Sequence, residues 1–528
     1  MNHSSTNSNK LKKLIDIGIA LSREKNIDIL LEKILNEARV ISNSDGGTVY
    51  LVTDDNKLNF KIMHTESLNI KFGGSADPVP DYIYPVKLYN ADGKENLNNV
   101  SAVCALRGSV INIEDAYTNK QYDFSGSKGF DKKHNYHSKS FLTIPLKNHK
   151  DKIIGVLQLL NAKDNDKIIN FSDELVELVE ALSSQASVAL TNQLLIDEQK
   201  MLFRSFIKLV VDALENKDAV TGGHCNRVPL LTMILAEQVN SDKTGKYKDF
   251  SFSDDEMDEL FVSGWLHDFG KVATPDHIMN KSTKLEGLYD KIDNIYLRFE
   301  ILKRDVELDY YKSKIDKKIV DNDLINAKLQ KIKGDFSFLE KANIGGEFMS
   351  NKLQERVSEI AKKTINIDNK NKSILSKEEV EFLTISKGTL SKKDREIMES
   401  HVSLTFQLLD KLPYPDHLSQ VPFYAGCHHE KINGTGYPNG YSGDQLPLQA
   451  RIIAIADVFE GLTAPDRPYK KPYKLSKALN ILKYMVNDGE IDSDLFSLFI
   501  TKKLYLQYAK ENLHSNQVDE INEKELLS

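Results

Sequence analysis

Cysteine, long apolar runs and excess positive charge are all scarce in this chain. Its 528 residues contain three cysteines, too few for a disulfide framework, which favours a reducing compartment. No uninterrupted apolar stretch reaches the roughly 18 residues that a membrane-spanning helix needs. The first ten residues are polar and lack the apolar segment of a secretory signal peptide. We therefore expect a cytoplasmic protein with no membrane partner.

The net charge and the length of the chain further narrow the classes of protein to which it could belong. The formal net charge is −7, which argues against a protein dedicated to DNA or RNA, although a local basic pocket could still hold a small nucleotide. Hydrophobic residues make up 40% and charged residues 28% of the chain, as in ordinary globular proteins. At this length we expect several domains.

A histidine and an aspartate are adjacent at the end of an apolar run, at His267 and Asp268. Such a pair most often forms a simple hydrogen-bonded contact, and metal binding needs further donors. Asp457 ends a second apolar stretch, where burying an unpaired carboxylate would cost several kcal/mol, and a bound metal ion would remove that cost. Histidine and carboxylate donors together suit iron, manganese or zinc. The further candidate donors are His224, His401, His428, His429 and Asp457.

Several motifs in a fixed order resemble the HD-GYP family. They lie at residues 267–271, 428–438, 450–457 and 467–470, and the resemblance covers residues 200–503 apart from one long insertion. Members of this family are helical, metal-dependent phosphodiesterases that hydrolyse cyclic di-GMP. The resemblance therefore implies an all-α domain that opens the ring of cyclic di-GMP to pGpG and can continue to GMP.

The resemblance also implies two divalent metal ions, iron or manganese. The residues that match the ligands of the first ion are His224, His267, Asp268 and Asp457. Those that match the ligands of the second ion are His401, His428 and His429, with Asp268 bridging both ions and taking part in catalysis. Some members bind a third ion through a glutamate four residues before the first histidine, and that position is Val220 here. Two neighbouring cations can lower the pKa of a bound water and neutralise phosphoryl oxygens.

Lys271 is predicted to bind a phosphate oxygen and to act in catalysis. It follows His267 by four residues, so both side chains share a face if the helix continues. A solvent-facing lysine is the alternative. Arg467 and Lys470 resemble the family's second phosphate clamp, since a guanidinium offers a fork suited to phosphate. The segment before Arg467 is one residue longer than the common pattern.

The loop that contains Gly436, Tyr437 and Pro438 is predicted to shape the substrate pocket and to contact partner proteins. A tight connection is the alternative, because glycine permits a positive φ and proline restricts the exit from the loop. Asn433 stands where the family commonly has aspartate. This change removes no expected metal ligand, so we expect activity to survive.

Residues 12–195 resemble a GAF sensor domain, which implies an α+β fold of helices around an antiparallel sheet. GAF domains that bind cyclic nucleotides carry a spaced Asn-Lys-Phe-Asp-Glu signature. This chain has the same residue types, but the acidic pair follows the phenylalanine too closely. The residues are Asn161, Lys163, Phe171, Asp173 and Glu174. A ligand sensor and a structural or dimerising domain both stay open.

Residues 173–215 are almost free of glycine and proline, which predicts one long connecting helix. By analogy with sensor–enzyme fusions, we expect a parallel homodimer through this helix and the GAF domain. Packing of the helix on its own GAF sheet is the alternative for its early part. The apolar positions near coiled-coil spacing are Leu175, Leu178, Leu182, Ala186 and Ala189, and then Leu194, Met201, Phe206 and Leu209.

The family pattern is interrupted by an insertion at residues 285–387. Its apolar residues alternate spacings of three and four, which predicts a helical coiled-coil arm that folds back on itself near the pocket. Gating, dimerisation and docking of a protein partner all stay open for this arm. The seam consists of Leu285, Leu288, Ile292, Ile295, Phe299, Leu302 and Val306. Residues 504–528 are charged and weakly periodic, which predicts a frayed helical tail.

Two other functions remain alternatives to a cyclic di-GMP phosphodiesterase regulated by its GAF domain. One is a catalytically silent receptor or scaffold for a cyclic dinucleotide. The other is a phosphohydrolase that acts on another nucleotide, because no residue in the sequence reads guanine unambiguously.

Overall fold

The chain forms two compact units, Met1–Phe203 and Arg204–Ser528. A computed structural model describes residue 12 and residues 14–165, 167–217, 223–316, 321–346, 348–367, 370–465 and 472–528. Among these residues no helix combines the length and the apolar character that crossing a bilayer requires.

An antiparallel sheet with helices on both faces makes up the first unit. The strand order is β3-β2-β1-β7-β6-β5, with β4 beside β2 and β8 beside β7. This is the α+β architecture predicted from the sequence. The elements are α1 (Ile27–Ser42), β1 (Ser44–Val52), β2 (Lys57–Thr65), β3 (Ile70–Phe72), β4 (Val86–Lys87), α2 (Val100–Arg107), β5 (Ile111–Ile113), α3 (Ser125–His134), β6 (Phe141–Lys147), β7 (Ile153–Asp164), β8 (Lys167–Ile169) and the start of α4 (Asp173–Lys217).

Local signals in the sequence set the bounds of α1. The side chain of Asn26 caps its first turn by accepting hydrogen bonds from the backbone N–H groups of Asp28 and Ile29. Asn43 ends the helix in the left-handed region, with φ of 49°. The next residue begins β1, so the chain passes from helix to sheet in a single residue.

Two residues of the cyclic-nucleotide GAF signature have partners inside the domain. Lys163 Nζ lies 2.5 Å from Asp45 Oδ1, and Asp45 is buried at the start of β1. The Asn161 side chain accepts from the backbone N–H of Lys139 and donates to the His137 carbonyl. These contacts serve the domain's own architecture, and a ligand sensor and a structural or dimerising domain both stay open.

The connecting helix α4 extends for 45 residues without a break. Its early part packs on the GAF sheet through Val179, Leu182, Ala186 and Leu190, as in the alternative drawn from the sequence. A second apolar set lies on another face of α4, with exposed fractions between 48% and 72%, and consists of Val188, Leu195, Leu202, Phe206 and Leu209.

The second unit is almost entirely helical, as expected. One large apolar core joins its N-terminal, central and C-terminal helices. Its elements are α5 (His224–Ser241), α6 (Asp254–Leu266), α7 (Asp276–Met279), α8 (Ile292–Ile315), α9 (Asn322–Asn343), α10 (Asn351–Ala361), β9 (Thr364–Ile367), β10 (Lys370–Ser373), α11 (Lys377–Leu383), α12 (Lys392–Leu409), α13 (Val421–Ala425), α14 (Leu448–Thr463), α15 (Leu475–Asn487), α16 (Ser493–Thr501), α17 (Leu504–Asn512) and α18 (Glu523–Leu527).

The insertion contains the expected antiparallel helix pair, α8 and α9. Tyr296 near the start of α8 contacts Phe336 near the end of α9, whereas Tyr310 near the end of α8 donates to Asn322 at the start of α9. The predicted seam is wrong at its beginning. Leu285 precedes the helix, which begins at Ile292, and Leu288 is 97% exposed, because residues 281–290 form a hydrogen-bonded loop.

The insertion also contains a strand pair that was not predicted. Strands β9 (Thr364–Ile367) and β10 (Lys370–Ser373) pair antiparallel. The sequence Thr364-Ile365-Asn366-Ile367 alternates polar and β-branched apolar residues, which favours a strand over a helix. Only Ile365 of this strand is fully buried, and it joins the insertion's own apolar core.

The two ends of the insertion meet. Thr389 Oγ1 donates to the Lys281 carbonyl at 3.0 Å, and Lys281 Nζ lies 2.8 Å from Asp394 Oδ2 in the first turn of α12. Lys284 is buried and donates to the carbonyls of Leu383 and Ile385. About a hundred residues therefore leave and return at almost one point, next to the helix that carries His401.

The predicted frayed tail is wrong. Helices α17 and α18 pack into the main core of the second unit through Leu504, Tyr505, Tyr508, Ala509 and Leu526. The four residues of α17 follow a spacing of one and three, which places them on one helical face. Tyr505 also donates to Glu523 Oε1 at 2.8 Å, so the polar tip of a buried ring is satisfied by the last helix.

We expect Tyr505→Ala to destabilise the helical unit by about 3–5 kcal/mol, as is typical when a large buried aromatic side chain is removed. The control Tyr484→Ala removes a tyrosine that is 65% exposed, and it should cost about 0.5 kcal/mol or less. Urea unfolding of the full chain, followed by circular dichroism, measures both. Equal small losses would contradict the packed C-terminal helices.

Candidate metal centre

Helices and turns from distant parts of the sequence bring the predicted ligands to one point in the second unit. His224 is the first residue of α5, and His267 caps the end of α6 and is followed directly by Asp268. His401 lies within α12, and Asp457 lies within α14. Two groups have candidate donor atoms that all lie within 4.8 Å of one another, namely His224, His267 and Asp268, and His401, His428 and His429.

Asp268 lies between the two groups. Its Oδ2 atom is 3.4 Å from the Nε2 atoms of both His224 and His267. Its Oδ1 atom is 3.3 Å from His401 Nε2 and 3.9 Å from His428 Nε2. Each carboxylate oxygen therefore faces one group of histidines, which is the arrangement that a bridging carboxylate requires.

Asp457 joins the first group and borders the second. Its Oδ1 atom is 3.3 Å from His224 Nε2 and 3.8 Å from His267 Nε2. Its Oδ2 atom is 4.0 Å from His429 Nδ1. The structure thus brings together all seven residues that the sequence nominates as metal ligands.

Three of the histidines are oriented by the same kind of local hydrogen bond to the backbone. The Nδ1 atoms of His267, His401 and His428 lie 2.7, 2.5 and 2.6 Å from the backbone carbonyl three residues earlier. Each Nδ1–H donates to that carbonyl, so the Nε2 lone pair points into the centre. The Nε2 atoms of His401 and His428 are buried and have no hydrogen-bond partner within the described residues. Buried orphan acceptors that converge in this way fit a metal ion.

The charges around the site favour the ligand forms of most of these residues. Burial raises the pKa of the Asp268 carboxyl, but Lys271 and His267 outweigh it and hold that pKa well below its usual range. Burial lowers the pKa of His428 well below its usual value and lowers the pKa of His429 to about 4. Ionised carboxylates and neutral imidazoles are the forms that bind metals.

His224 behaves differently. Burial lowers its pKa, but the charge of Glu460, together with Asp268 and Asp457, raises it well above the usual value. In the absence of a metal, a proton on His224 Nε2 faces both aspartates. A metal ion would take the place of that proton, because it offers positive charge to the same oxygens.

Sequence reasoning missed Glu460, which is fully buried beneath His224. Its Oε2 atom accepts from His224 Nδ1, and its Oε1 atom accepts from Arg227 Nε at 2.7 Å. Glu460 follows Asp457 by one helical turn, and Arg227 follows His224 by one turn. These two spacings of three residues, each starting at a predicted metal ligand, were the sequence signal that could have identified Glu460 and Arg227. A carboxylate behind a metal-binding histidine fixes the ring and raises its basicity.

Gly270, the glycine of the 267–271 motif, allows the two groups of histidines to lie close to each other. A Cβ atom on Gly270 would lie 1.9 Å from the His401 carbonyl oxygen, so only glycine fits there. The Gly270 N–H donates to Thr405 Oγ1 at 2.8 Å, and that hydroxyl donates to the His267 carbonyl at 3.1 Å. Close backbone packing therefore places Asp268 beside His401.

Lys271 reaches the site, but not by the predicted route. Helix α6 ends at Leu266, and residues Phe269–Ala273 form a 3-10 helix, so His267 and Lys271 do not share the face of one α-helix. The tighter turn instead brings Lys271 Nζ to 2.6 Å from Asp268 Oδ2, with 24% of the side chain exposed. The solvent-facing alternative does not fit this position.

The loop with Gly436, Tyr437 and Pro438 packs on a predicted ligand. A Cβ atom on Gly436 would lie 2.4 Å from Lys431 N, so glycine is required. The ring centroid of Tyr437 lies 5.0 Å from that of His429, and the Tyr437 N–H donates to the His429 carbonyl at 3.2 Å. The loop is thus a tight connection that also borders the site. Arg467, Lys470 and Val220 lie outside the described residues, so the second phosphate clamp stays a prediction.

Comparison with protein families is consistent with this architecture. A GAF domain family matches residues 26–190, and an HD domain family matches residues 378–495. The chain joins a GAF domain to an HD domain. This confirms the two-domain resemblance found in the sequence. Four of the seven candidate ligands, His401, His428, His429 and Asp457, lie within the residues that match the HD domain family.

Curated relatives resemble short parts of the GAF–HD chain. It is 38% identical over 110 residues to 3′3′-cGAMP-specific phosphodiesterase 3 of Vibrio cholerae, covering 21% of this chain and 23% of that protein. It is 38% identical over 96 residues to the cyclic di-GMP phosphodiesterase response regulator RpfG of Xanthomonas campestris, covering 18% and 25%. The chain thus spans about a quarter of these relatives.

A solved GAF domain/HD domain protein from Geobacter sulfurreducens is also similar. It is 14% identical, with a TM-score of 0.24, and the match covers 33% of this chain and 98% of the solved chain.

We expect Glu460→Gln to weaken metal binding by about 10- to 100-fold, because it removes the charge that orients His224. The control Glu237→Gln changes an exposed glutamate on the same helix as His224, and it should leave the affinity unchanged. Titration with Mn(II) followed by electron paramagnetic resonance measures both. Equal affinities in the two variants would show that Glu460 has no role in the site.

Proposed function

We propose that this protein hydrolyses the 3′–5′ phosphodiester bond of a cyclic dinucleotide, with cyclic di-GMP as the leading substrate. The observation that carries the proposal is the position of Asp268, whose two oxygens face two separate groups of histidines. A site of this kind suits two divalent cations, iron or manganese, with Asp268 as the bridging ligand. Histidine and aspartate donors accept either metal, so the proposal covers both.

The chain's own residues supply the remaining requirements for hydrolysis. When bound, the metal ions would supply a water of lowered pKa and a counter-charge for the phosphoryl group. Burial lowers the pKa of Lys271, but Asp268 outweighs burial and raises it, so the side chain is cationic. With a partly exposed side chain beside the bridging carboxylate, Lys271 can bind a non-bridging phosphate oxygen. Glu460 and the three backbone carbonyls hold the imidazole rings in place.

A second cyclic dinucleotide is also a candidate. The chain is 44% identical over 82 residues to 3′3′-cGAMP-specific phosphodiesterase 1 of Vibrio cholerae, and cyclic di-GMP phosphodiesterases show comparable identities over similar lengths. The metal site would treat both substrates alike, because it contacts phosphate rather than base. Discrimination between them would come from other side chains.

We expect purified protein, reconstituted anaerobically with Fe(II) or Mn(II), to convert cyclic di-GMP to pGpG. The double variant His267→Ala/Asp268→Ala should lose at least about 1000-fold of the rate, because metal-assisted phosphoryl chemistry contributes several kcal/mol. Chromatography of the products measures both, and 3′3′-cGAMP is tested in parallel.

His277→Ala is the matched control, since His277 is exposed on the short helix α7, and it should retain full activity. Absence of product from either dinucleotide, with two metal ions bound per chain, would reject a phosphodiesterase. A silent cyclic-dinucleotide receptor would then be the better description.

The connecting helix supports the proposed regulation by the GAF domain. Five exposed apolar residues of α4 alternate spacings of four and three when Asn192 and Gln199 are included, and they are Val188, Leu195, Leu202, Phe206 and Leu209. This is the seam of a coiled coil, and a polar residue such as Asn192 in the seam favours a parallel pair in register. We propose that two copies pair through this seam, and that a change in the GAF domain passes along α4. Further protein partners at the 436–438 loop or the insertion remain proposals.

We expect Leu202→Glu to convert the dimer to a monomer, because it places two like charges opposite each other in the seam. The control Met201→Glu adds the same charge at an adjacent residue that is 68% exposed. The sequence placed Met201 among the coiled-coil positions, but the seam proposed here runs through Leu202 and leaves Met201 outside, so this variant should leave the dimer intact. Light scattering gives the mass of each variant. Dissociation by both, or by neither, would contradict this seam.

A further inference from the structure

One of the five imidazoles at the metal centre lacks the hydrogen bond that orients the other four. Three of those four rings donate to backbone carbonyls and the fourth donates to Glu460. Among the described residues the ring of His429 makes no hydrogen bond, and its Nδ1 atom lies 4.0 Å from Asp457 Oδ2. A metal-binding imidazole almost always donates its second ring N–H to a partner. The orientation of His429 therefore needs another source.

His429 is also the least buried of these imidazoles. Its side chain is 30% exposed, whereas the side chains of the other four are at most 7% exposed. Close packing on all sides therefore restrains the other rings more than this one. The aromatic neighbours of the His429 ring are His401, His428 and Tyr437. Among the described residues, Tyr437 is the one aromatic neighbour that is not itself a candidate metal ligand.

Tyr437 is joined to His429 through both its ring and its backbone. The two ring planes are inclined by 32°, closer to a stacked pair than to an edge-to-face pair. The backbone N–H of Tyr437 donates to the His429 carbonyl. An added Cβ on Gly436 would lie 2.6 Å from the same carbonyl oxygen, so the chain before Tyr437 rests directly on His429. These contacts together restrict rotation of the imidazole.

The residue after His429 anchors the far side of the same loop. Glu430 is buried, its Oε1 atom accepts from the Asn439 N–H at 2.7 Å, and its Oε2 atom accepts from the Tyr441 N–H at 3.1 Å. Glu430 forms no ion pair within the part of the chain that the structure describes. Both carboxylate oxygens therefore serve the loop, and hydrogen bonds from backbone N–H groups to a carboxylate are among the stronger ones in proteins.

We propose that Tyr437 and Glu430 are positioning residues for His429. Glu430 anchors the loop, and the loop holds the Tyr437 ring against the imidazole, so that ring packing replaces the hydrogen bond that orients each of the other four rings. The inference rests on the two-ion centre of the proposed function and deepens it. It also gives a role to Glu430, which was not among the residues predicted for the site.

The test compares two variants of Tyr437. Tyr437→Ala removes the ring that packs on His429, and we expect it to weaken binding of the second Mn(II) ion by about tenfold or more, as is typical when a group that orients a metal ligand is lost. Tyr437→Phe keeps the ring and should retain the affinity of the wild type. Binding of the first ion should be unchanged in both variants, because the loop packs on a ligand of the second. Titration of the full chain with Mn(II), followed by electron paramagnetic resonance, distinguishes one bound ion from a spin-coupled pair.

Glu430→Gln tests the anchor. The variant keeps the size of the side chain, but an amide NH2 group replaces one oxygen and cannot accept from a backbone N–H. We expect the same selective loss of the second ion. Glu396→Gln is the matched control, because Glu396 is an exposed glutamate on α12, the helix that carries His401, and it should leave both ions unaffected.

Several results would overturn the inference. Unchanged affinity for the second ion in Tyr437→Ala would show that the ring contact is incidental, and equal losses of both ions would show a general distortion of the centre. The same loss in Tyr437→Phe would assign the effect to the hydroxyl group, and a wild type that binds a single ion would leave His429 without a second ion to hold. No loss in Glu430→Gln would overturn its role as the anchor.

The titration contains no dinucleotide, so its result does not depend on turnover. If the metal-loaded protein hydrolyses neither cyclic di-GMP nor 3′3′-cGAMP, the proposed function fails. A selective loss of the second ion in Tyr437→Ala and Glu430→Gln would still support the positioning of His429.

Discussion

The shared carboxylate of Asp268 is the interaction on which the rest of the helical unit depends. Asp268 is buried, and a buried carboxylate without partners would be expensive. Its two oxygens face two sets of imidazoles that come from sequence-distant segments. The cost of burying each group is offset only if all of them arrive together, and a bound cation would complete that compensation.

Backbone packing sets how closely those segments approach. Gly270 allows the turn after Asp268 to rest directly on the His401 carbonyl, and Thr405 links both sides by two hydrogen bonds. The insertion does not disturb this contact, because Lys281 and Thr389 join its ends beside the first turn of α12. A segment of about a hundred residues can therefore be added while the distance between His267 and His401 stays short.

The sequence predicted the GAF and HD domains, and it nominated the seven candidate ligands that the structure brings together. Five of the seven belong to short motifs, whereas His224 and His401 lie outside them. Predictions from the sequence were wrong where the local residue pattern and the tertiary environment favour different structures. The spacing of three and four at Leu285 and Leu288 suggested a helix, but the loop around Asp290 satisfies its own polar groups first. The charged C-terminal segment suggested a frayed tail, yet Tyr505 and Tyr508 are buried because the core offers them space.

Three imidazole orientations follow from local structure, because His267, His401 and His428 each donate to the carbonyl three residues earlier. The sequence by itself thus determined which donors exist and, through these local contacts, how three of the five imidazoles point. Only the tertiary structure decided that Asp268 lies between the two groups and that Glu460 lies behind His224. The physical reason is that these contacts join residues as many as 236 positions apart, and no local periodicity encodes them.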